Sequence, residues 1–257
     1  KHILQIVADM AGENAPGAVN IRSDGKKAYR HNTENIEITS KTDKDGIDIR
    51  IKPFTKHEDV HIPVVLTASG MHDMVYNDFF VGEGAEVRIV AGCGIHNCGD
   101  CDSQHDGIHT FYIGKNAKVT YIEKHYGEGE GSGKRILNPQ TIVYLEEGAS
   151  ITMETSQIAG VDDTKRYTKC VASGANSEVV ITEKLLTHGE QHAVDDHGLG
   201  QRLAQFFTQL PVDLDDLHII AGGAERLGQI IGRAAAAEDH HIARLLLQQP
   251  HAAQQLL

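Results

Sequence analysis

The sequence contains no tryptophan, and its six phenylalanines and seven tyrosines supply only 5% of the residues. A core centred on aromatic rings is therefore not expected, so valine and isoleucine must provide most of the packing. Long apolar runs are missing as well, because a stretch such as residues 63–66 falls far short of the ~20 residues that a membrane-spanning helix requires. No charged-then-apolar leader opens the sequence, and we expect a cytoplasmic protein without membrane association.

The chain has fewer basic than acidic residues. The chain has 24 lysines and arginines against 36 aspartates and glutamates, which gives a formal net charge of -12. Such an acidic surface repels polyanions, so neither nucleic acid nor an anionic membrane is an expected partner.

The chain has only four cysteines. In a reducing compartment, thiols that lie close together in sequence are more typical of a metal or redox site than of a disulfide framework.

Apolar spacing predicts a short helix followed by strands. Ile3, Ile6 and Val7 recur at helical intervals, and the Pro16-Gly17 pair ends the pattern, so residues 1–17 are predicted to form an N-terminal helix and a linker. Runs in which apolar and polar residues alternate follow, which is the pattern of half-buried strands. These runs lie at residues 18–22, 36–39, 47–52 and 60–66.

A self-similar unit begins at residue 82 and consists of a Gly/Asn turn, a small residue and an alternating strand. Its small residues Ala85, Ala117 and Ala149 recur at equal intervals, and Ser177 follows at a slightly shorter one. One such unit cannot bury its inner face alone, whereas stacked coils share a continuous core. We therefore predict a mainly β protein with a parallel β-helix, or β-solenoid, over residues 18–194. The alternative is a β-sandwich whose turns are similar by chance.

The composition changes near residue 194. Every lysine of the chain precedes this point, and the strand-like alternation stops there. Apolar residues at helical spacing between 199 and 210 and between 224 and 249 predict two helices, which end at Pro211 and Pro250. Residues 195–257 are therefore predicted to form an α-helical tail.

The stretch with the most reactive side chains is the Cys-rich segment, residues 91–109. Cys93, Cys98 and Cys101 have the C-x4-C-x2-C spacing that plant-type ferredoxins use to bind an iron–sulfur cluster. His96 and His109 could add imidazole ligands, and thiolate together with imidazole also suits zinc, which is the alternative metal. We predict these five residues as the metal site, with the three cysteines binding the cluster.

Glycines flank these cysteines. Gly92, Gly94 and Gly99 are typical of a loop folded around a cluster, because glycine tolerates positive φ angles. A fourth thiolate could come only from Cys170, about two coils further on, and that residue is more typical of inert core.

A second glycine-rich stretch, residues 127–134, resembles a phosphate-binding loop. It carries two glutamates, however, and Arg135 stands where serine or threonine is required. We interpret it as a flexible excursion between coils.

Several blocks of the sequence resemble the short SufB/SufD-like proteins of the SUF system, which assembles iron–sulfur clusters. They include Val75-Tyr-Asn-Asp-Phe-Phe-Val-Gly, Ala91-Gly-Cys-Gly-Ile-His-Asn, Ser103-Gln-His-Asp-Gly-Ile-His-Thr and Glu123-Lys-His-Tyr-Gly-Glu-Gly. The resemblance covers residues 1–194 and does not extend into 195–257. Cys93 lies where SufB members of the family carry a cysteine thought to take part in sulfur transfer or cluster building.

This resemblance implies a right-handed parallel β-helix that acts as a scaffold and not as an enzyme. It also implies a SufC-type ABC ATPase as partner, a homo- or hetero-oligomer, and a transient iron–sulfur cluster or its iron and sulfide precursors as cargo. The family's C-terminal region that docks the ATPase has no recognisable counterpart in residues 195–257.

Three functions follow from these observations. In the first, a scaffold for cluster assembly, Cys93 accepts sulfur or binds iron and the other two cysteines complete a labile site. In the second, a metal-dependent hydrolase or redox enzyme uses the same cysteines together with His105 and Asp106. In the third, the chain is a structural β-helix module whose exposed face pairs with another subunit, and the cysteines are incidental.

Overall fold

The computed structural model describes residues 2–10 and 17–200 and four further strands beyond residue 200. Over these residues the chain is mainly β, with one short helix and a β-solenoid of about 5 turns. In chain order the elements are α1 (His2–Ala8), β1 (Ala18–Ser23), β2 (Lys26–His31), β3 (Ile36–Ser40), β4 (Gly46–Ile51), β5 (Lys56–His61), β6 (Val64–Leu66), β7 (His72–Val81), β8 (Glu86–His96), β9 (Ser103–Ile113), β10 (Lys118–Glu128), β11 (Arg135–Leu137), β12 (Gln140–Leu145), β13 (Ser150–Ala159), β14 (Asp163–Ala172), β15 (Glu178–Leu185), β16 (His192–Gly200), β17 (Gln205–Phe206), β18 (Leu217–Ile220), β19 (Gln229–Arg233) and β20 (His241–Gln248).

Two sheets form the walls of the solenoid, and the chain alternates between them. One sheet has the order β17-β20-β15-β13-β10-β8-β5-β1-β2, and the other has the order β18-β19-β16-β14-β11-β9-β7-β4-β3. From β5 to β16 each strand pairs in parallel with its equivalent in the next coil. This parallel pairing confirms the solenoid and rules out the β-sandwich alternative. Among the described residues, no helix has the length and apolar character needed to cross a membrane.

The sequence repeat sets the register between coils. Val87 pairs with Val119, Val119 with Ile151, and Ile151 with Val179, so the strand partners follow the same intervals as the small residues of the repeat. The small residue of each unit is buried where the chain turns into the strand. The residue just before it adopts a positive φ angle and is glycine or asparagine in every case, because those residues tolerate the left-handed conformation. These four residues are Gly84, Asn116, Gly148 and Asn176.

The interior is aliphatic over most of its length, as the shortage of aromatic residues predicts. The largest apolar cluster is built from the inward residues of the stacked strands and is rich in isoleucine and valine. Phe79 and Phe111 stack within it at a centroid distance of 4.3 Å, and Tyr121 meets Phe111 edge-on. Stacking of equivalent residues from adjacent coils therefore contributes to the few aromatic contacts of the core.

The predicted N-terminal helix is confirmed as α1, which packs on the outside of β8 and β10. Its buried residues Ile3 and Val7 lie over Gly92 and Gly94. A Cβ atom at Gly92 would lie 2.0 Å from the Val7 carbonyl oxygen, and one at Gly94 would lie 2.1 Å from Cγ2 of Ile3. Both glycines are therefore needed for close approach of the helix. Neither has the positive φ angle that we expected of a cluster-binding loop.

The predicted helical tail lies mostly outside the described residues. Where the structure describes this segment, the backbone is extended. Strands β19 and β20, which fall inside the second predicted helix, pair in antiparallel fashion with β16 and β15. The last coil of a solenoid presents unpaired N–H and C=O groups, and pairing with that edge overrides a local helical spacing of apolar residues.

Replacement of Gly92 by alanine tests the close packing of α1. We expect Gly92→Ala to destabilise the protein by about 1–3 kcal/mol, because the added methyl group overlaps the helix backbone. Urea unfolding measures the change, and Lys118→Ala on an exposed position of β10 is the control, for which we expect a change within about 0.5 kcal/mol. Equal stability of the two variants would contradict the described packing.

Candidate functional site

Cys93 lies inside the solenoid. Strand β8 continues from Glu86 to His96, so alternation along the strand turns Cys93 inward while its glycine neighbours face α1. The cysteine is only 6% exposed. His125 of the next coil is its register partner on β10, and Val64 is its partner on β6. The first cysteine of the Cys-rich segment therefore belongs to the interior of the fold and not to a loop.

His105 is fixed on the other wall of the same interior by a buried carboxylate. Its Nδ1 lies 3.1 Å from Oδ2 of Asp73, and Arg22 in turn donates from Nη2 to Oδ1 of Asp73 at 2.7 Å. Burial opposes the ionised form of Asp73, but His105 and Arg22 outweigh that effect and hold the pKa of Asp73 well below its usual range. Because an ionised carboxylate can only accept, Nδ1 of His105 must be the donor. The Nε2 atom has no conventional hydrogen-bond partner among the described residues.

His125 is supported by a second set of buried charges. Its Nε2 lies 3.5 Å from Oε1 of Glu123, and Glu123 forms an ion pair with Arg166, whose side chain is also fully buried. Burial opposes the ionised form of Glu123, yet Arg166 and His125 keep the pKa of this carboxyl well below its usual range. Burial likewise opposes the charged form of His125, but Glu123 and Cys93 outweigh it and raise the pKa of the imidazole.

These neighbours change the acidity of the Cys93 thiol. Burial alone would raise its pKa, but the positive charges of His105 and His125 outweigh burial and lower the pKa to about 7. The effect is mutual for His105, where burial is outweighed by the Cys93 thiolate and by Asp73, and the imidazole pKa rises to about 10. At neutral pH a substantial fraction of Cys93 is therefore thiolate, the form that acts as nucleophile and metal ligand.

The site balances its own charge. Isolated charges in a dry interior cost several kcal/mol each, so they persist only when opposite charges lie next to each other. Positive charges come from two arginines and two histidines, and negative charges come from the Cys93 thiolate and three carboxylates. These charged partners are Arg22, His105, His125, Arg166, Asp73, Glu123 and Glu183.

Cys170 shows what happens without such partners. It is surrounded by the apolar core, where burial raises its pKa to about 12. A thiol of this kind stays protonated at neutral pH and is a poor nucleophile and a poor ligand. Cys170 is therefore inert core, and it is not a fourth ligand in this arrangement.

His109 lies deeper in the same lumen and is neutral. It stacks on Phe79 at 5.9 Å between ring centroids, and its Nδ1 lies 3.4 Å from the Tyr121 hydroxyl. Burial lowers its pKa to about 4. Between His105 and His109 stands Gly107, where an added Cβ would lie 2.9 Å from Nε2 of His109 and 3.3 Å from Nε2 of His105. Glycine is therefore required at this position, because the two imidazole nitrogens come too close to leave room for a side chain.

The other predicted ligands lie outside the solenoid. Cys98 and Cys101 are exposed, on the loop that follows β8. Sγ of Cys98 lies 3.1 Å from Nε2 of His96. The hydrogen bond and the charge of Asp100 raise the pKa of Cys101. Within the part of the chain that the structure describes, no group of three or more His, Cys, Asp or Glu side chains is placed to hold one metal ion. The five predicted ligands are therefore divided between an inner and an outer set.

The glycine-rich stretch 127–134, which we interpreted as a flexible excursion, is hydrogen-bonded to the loop that carries Cys98 and Cys101. Gly131 N donates to the Asn97 carbonyl and Gly133 N to the Gly99 carbonyl, both at 3.1 Å, so the two glycine-rich stretches stack on each other. The Asn97 side chain closes the loop from inside by donating to the Cys101 carbonyl at 2.9 Å. Glycine is required here because a Cβ at Gly133 would lie 2.1 Å from that same carbonyl oxygen.

Sequence reasoning missed the residues that support Cys93, although a signal was present. Asp73 precedes His105 by one repeat period of the solenoid, and Cys93 precedes His125 by the same interval. Each pair therefore stands side by side in adjacent coils. The residue Asp106, paired with His105 in the enzyme hypothesis, faces away from it and bonds His72 at 2.6 Å.

Comparisons with known proteins give no further guidance on this site. No family model matches the chain, and no curated protein has a significantly similar sequence. The site is therefore defined by its own chemistry: a buried thiol between two imidazoles, in the lumen of a parallel β-solenoid.

Titration of Cys93 tests the electrostatics of the lumen. In a Cys98→Ser, Cys101→Ser protein, only Cys93 and the inert Cys170 remain, so thiolate ultraviolet absorbance should rise with a midpoint of about 7. His105→Gln should move that midpoint upward toward 9.0, because it removes a positive charge that stabilises the thiolate. A Cys93→Ser control should lose the transition. A midpoint near 9.0 before His105 is replaced would show that the imidazoles do not act on the thiol.

Proposed function

We propose that this chain is a non-enzymatic scaffold protein of iron–sulfur cluster assembly, in which Cys93 receives sulfur or binds iron of a nascent cluster. The observation that carries the proposal is the buried Cys93 thiol between His105 and His125, with its pKa lowered to about 7. A thiolate is needed for both steps, since it attacks sulfur and ligates iron.

The surroundings of Cys93 suit a small inorganic cargo. The lumen around Cys93 is tightly packed, because an added Cβ at Gly107 would already lie 2.9 Å from Nε2 of His109. Such packing leaves no room for an extended organic substrate. His109 is kept neutral by burial, so it can bind a metal without first releasing a proton. His105 must release its proton before it can do so. Because loss of this proton opposes metal binding, the arrangement favours transient over permanent binding of the metal.

The resemblance to short SufB/SufD-like proteins supports the same proposal, because Cys93 lies where SufB members carry a cysteine thought to take part in sulfur transfer or cluster building. The remaining properties that the resemblance implies belong to the proposal as well. They are right-handed winding of the coils, a cytoplasmic location, assembly as a homo- or hetero-oligomer, and partnership with a SufC-type ABC ATPase that supplies energy.

One observation favours a second candidate, a cysteine-dependent hydrolase. Cys93, His105 and Asp73 have the order of a nucleophile, a base and an orienting carboxylate, with Nδ1 of His105 3.1 Å from Asp73. Catalysis of this kind needs access for an extended substrate. Cys93 is only 6% exposed and faces the closed lumen, so the scaffold is the better supported function.

Anaerobic reconstitution with ferrous iron and sulfide tests the scaffold function. We expect the wild-type chain to gain visible absorption and bound iron, and Cys93→Ser to retain about tenfold less iron. Cys170→Ser is the matched control, since it removes another buried thiol without touching the lumen charges, and it should bind as the wild type does. Equal loading of wild type and Cys93→Ser would contradict the proposal. Hydrolysis of an activated ester that both Cys93→Ser and Asp73→Asn abolish would favour the hydrolase.

Capture of a SufC-type ATPase tests the proposed partner. We expect the full chain to retain the ATPase on an affinity resin, and Cys93→Ser to retain it equally, because the lumen side chain cannot contact a protein bound outside. Absence of capture by the wild-type chain would remove the ATPase from the proposal. It would leave the role of Cys93 intact.

A further inference from the structure

A second thiol, on the outside of the solenoid, has the geometry of an activated nucleophile. Sγ of Cys98 lies 3.1 Å from Nε2 of His96. The other ring nitrogen of His96 lies 3.1 Å from Oε1 of Glu128. The hydroxyl of Tyr126 donates to Oε2 of the same carboxylate at 3.1 Å. Nucleophile, base and orienting carboxylate therefore follow one another within hydrogen-bond reach.

The fold holds this arrangement in place. His96 ends β8 and Glu128 ends β10, and the two are register partners in adjacent coils. When the Nδ1–H group of His96 donates a hydrogen bond to Glu128, the neutral imidazole has Nε2 as its acceptor, and this atom faces the Cys98 thiol. The Cys98 loop is in turn held by the backbone hydrogen bonds from Gly131 to Asn97 and from Gly133 to Gly99. The thiol is thus exposed to solvent but supported by a fixed base.

Cys101 provides an internal contrast. It is also exposed and stands three residues later on the same loop, yet the group within 3.5 Å of its sulfur is the carboxylate of Asp100. An imidazole can remove the proton of a thiol and stabilise the thiolate, whereas a neighbouring carboxylate repels that thiolate. We therefore expect the two thiols to differ in reactivity although both are exposed.

We propose that Cys98, with His96 as its base and Glu128 as the residue that positions His96, is a surface acceptor of sulfane sulfur from an external persulfide. This inference rests on the proposed function, since it names the form in which sulfur reaches the protein. His96 takes the proton of Cys98, and the thiolate attacks the outer sulfur of a donor R–S–SH. The donor S–S bond breaks as the new S–S bond forms. The donor leaves as a thiolate that takes the proton from His96, giving Cys98–S–SH and R–SH with no net oxidation.

The test uses glutathione persulfide as the donor and the full-length chain as the acceptor. After a brief anaerobic exposure to limiting donor, alkylation and peptide mass spectrometry measure persulfide on each cysteine. We expect Cys98 to be modified at least about tenfold faster than Cys101. His96→Gln should slow Cys98 on the order of a hundredfold, and Glu128→Gln should slow it by a smaller factor. Cys101→Ser is the matched control and should leave the Cys98 rate unchanged.

The Cys101 rate shows, within each variant, whether the loop remains folded. An unchanged Cys101 rate beside a slowed Cys98 rate in His96→Gln assigns the loss to the base. Equal rates at Cys98 and Cys101 in the wild type, or an unaffected Cys98 rate in His96→Gln, would overturn the inference.

Iron uptake by the wild type and by Cys93→Ser, measured beside the persulfide assay, separates this result from the proposed function. If uptake still depends on Cys93 when Cys98 shows no selectivity, only the surface acceptor is wrong. If Cys98 is selective but iron uptake does not depend on Cys93, the scaffold role is wrong.

Discussion

Buried charge in the lumen of the solenoid is the constraint on which the site depends. A thiolate in an apolar interior would be protonated, as Cys170 shows with its pKa raised to about 12. The pKa of Cys93 is lowered instead, because two imidazoles lie beside its thiol. Each imidazole is paired with a carboxylate, and each carboxylate forms an ion pair with an arginine. Removing one member would leave an uncompensated charge in a dry environment. The chemistry of Cys93 is therefore inseparable from the set of ion pairs around it.

The repeat period of the solenoid brings these groups together. A step of one coil places Asp73 next to His105, Cys93 next to His125, and His96 next to Glu128. Alternation along β8 then divides the functions of adjacent residues. Cys93 faces the lumen, whereas Gly92 on the opposite face allows α1 to approach. One strand thus serves a reactive interior and a close helix contact at the same time.

Much of the fold could be predicted from the sequence, because its determinants are local and periodic. The spacing of Ala85, Ala117 and Ala149 sets the register, and the glycine or asparagine before each of them forms the left-handed turn. The site was predicted only in part. Cys93 was found by residue type, but the C-x4-C-x2-C spacing grouped it with Cys98 and Cys101 as ligands of one cluster. Because β8 runs to His96, the strand carries Cys93 inside and releases the other two outside.

The four thiols lie in four environments: a charge-balanced lumen around Cys93, a fixed base beside the exposed Cys98, a carboxylate beside the exposed Cys101, and an apolar core around the inert Cys170. Anomalous X-ray diffraction at the iron edge, on crystals of the anaerobically reconstituted chain, tests most directly whether Cys93 is the residue that holds the cargo. We expect an iron peak inside the solenoid beside Sγ of Cys93, on the side of His105 and His109. An iron peak found only on the surface beside Cys98 and Cys101, with an empty lumen, would contradict this assignment.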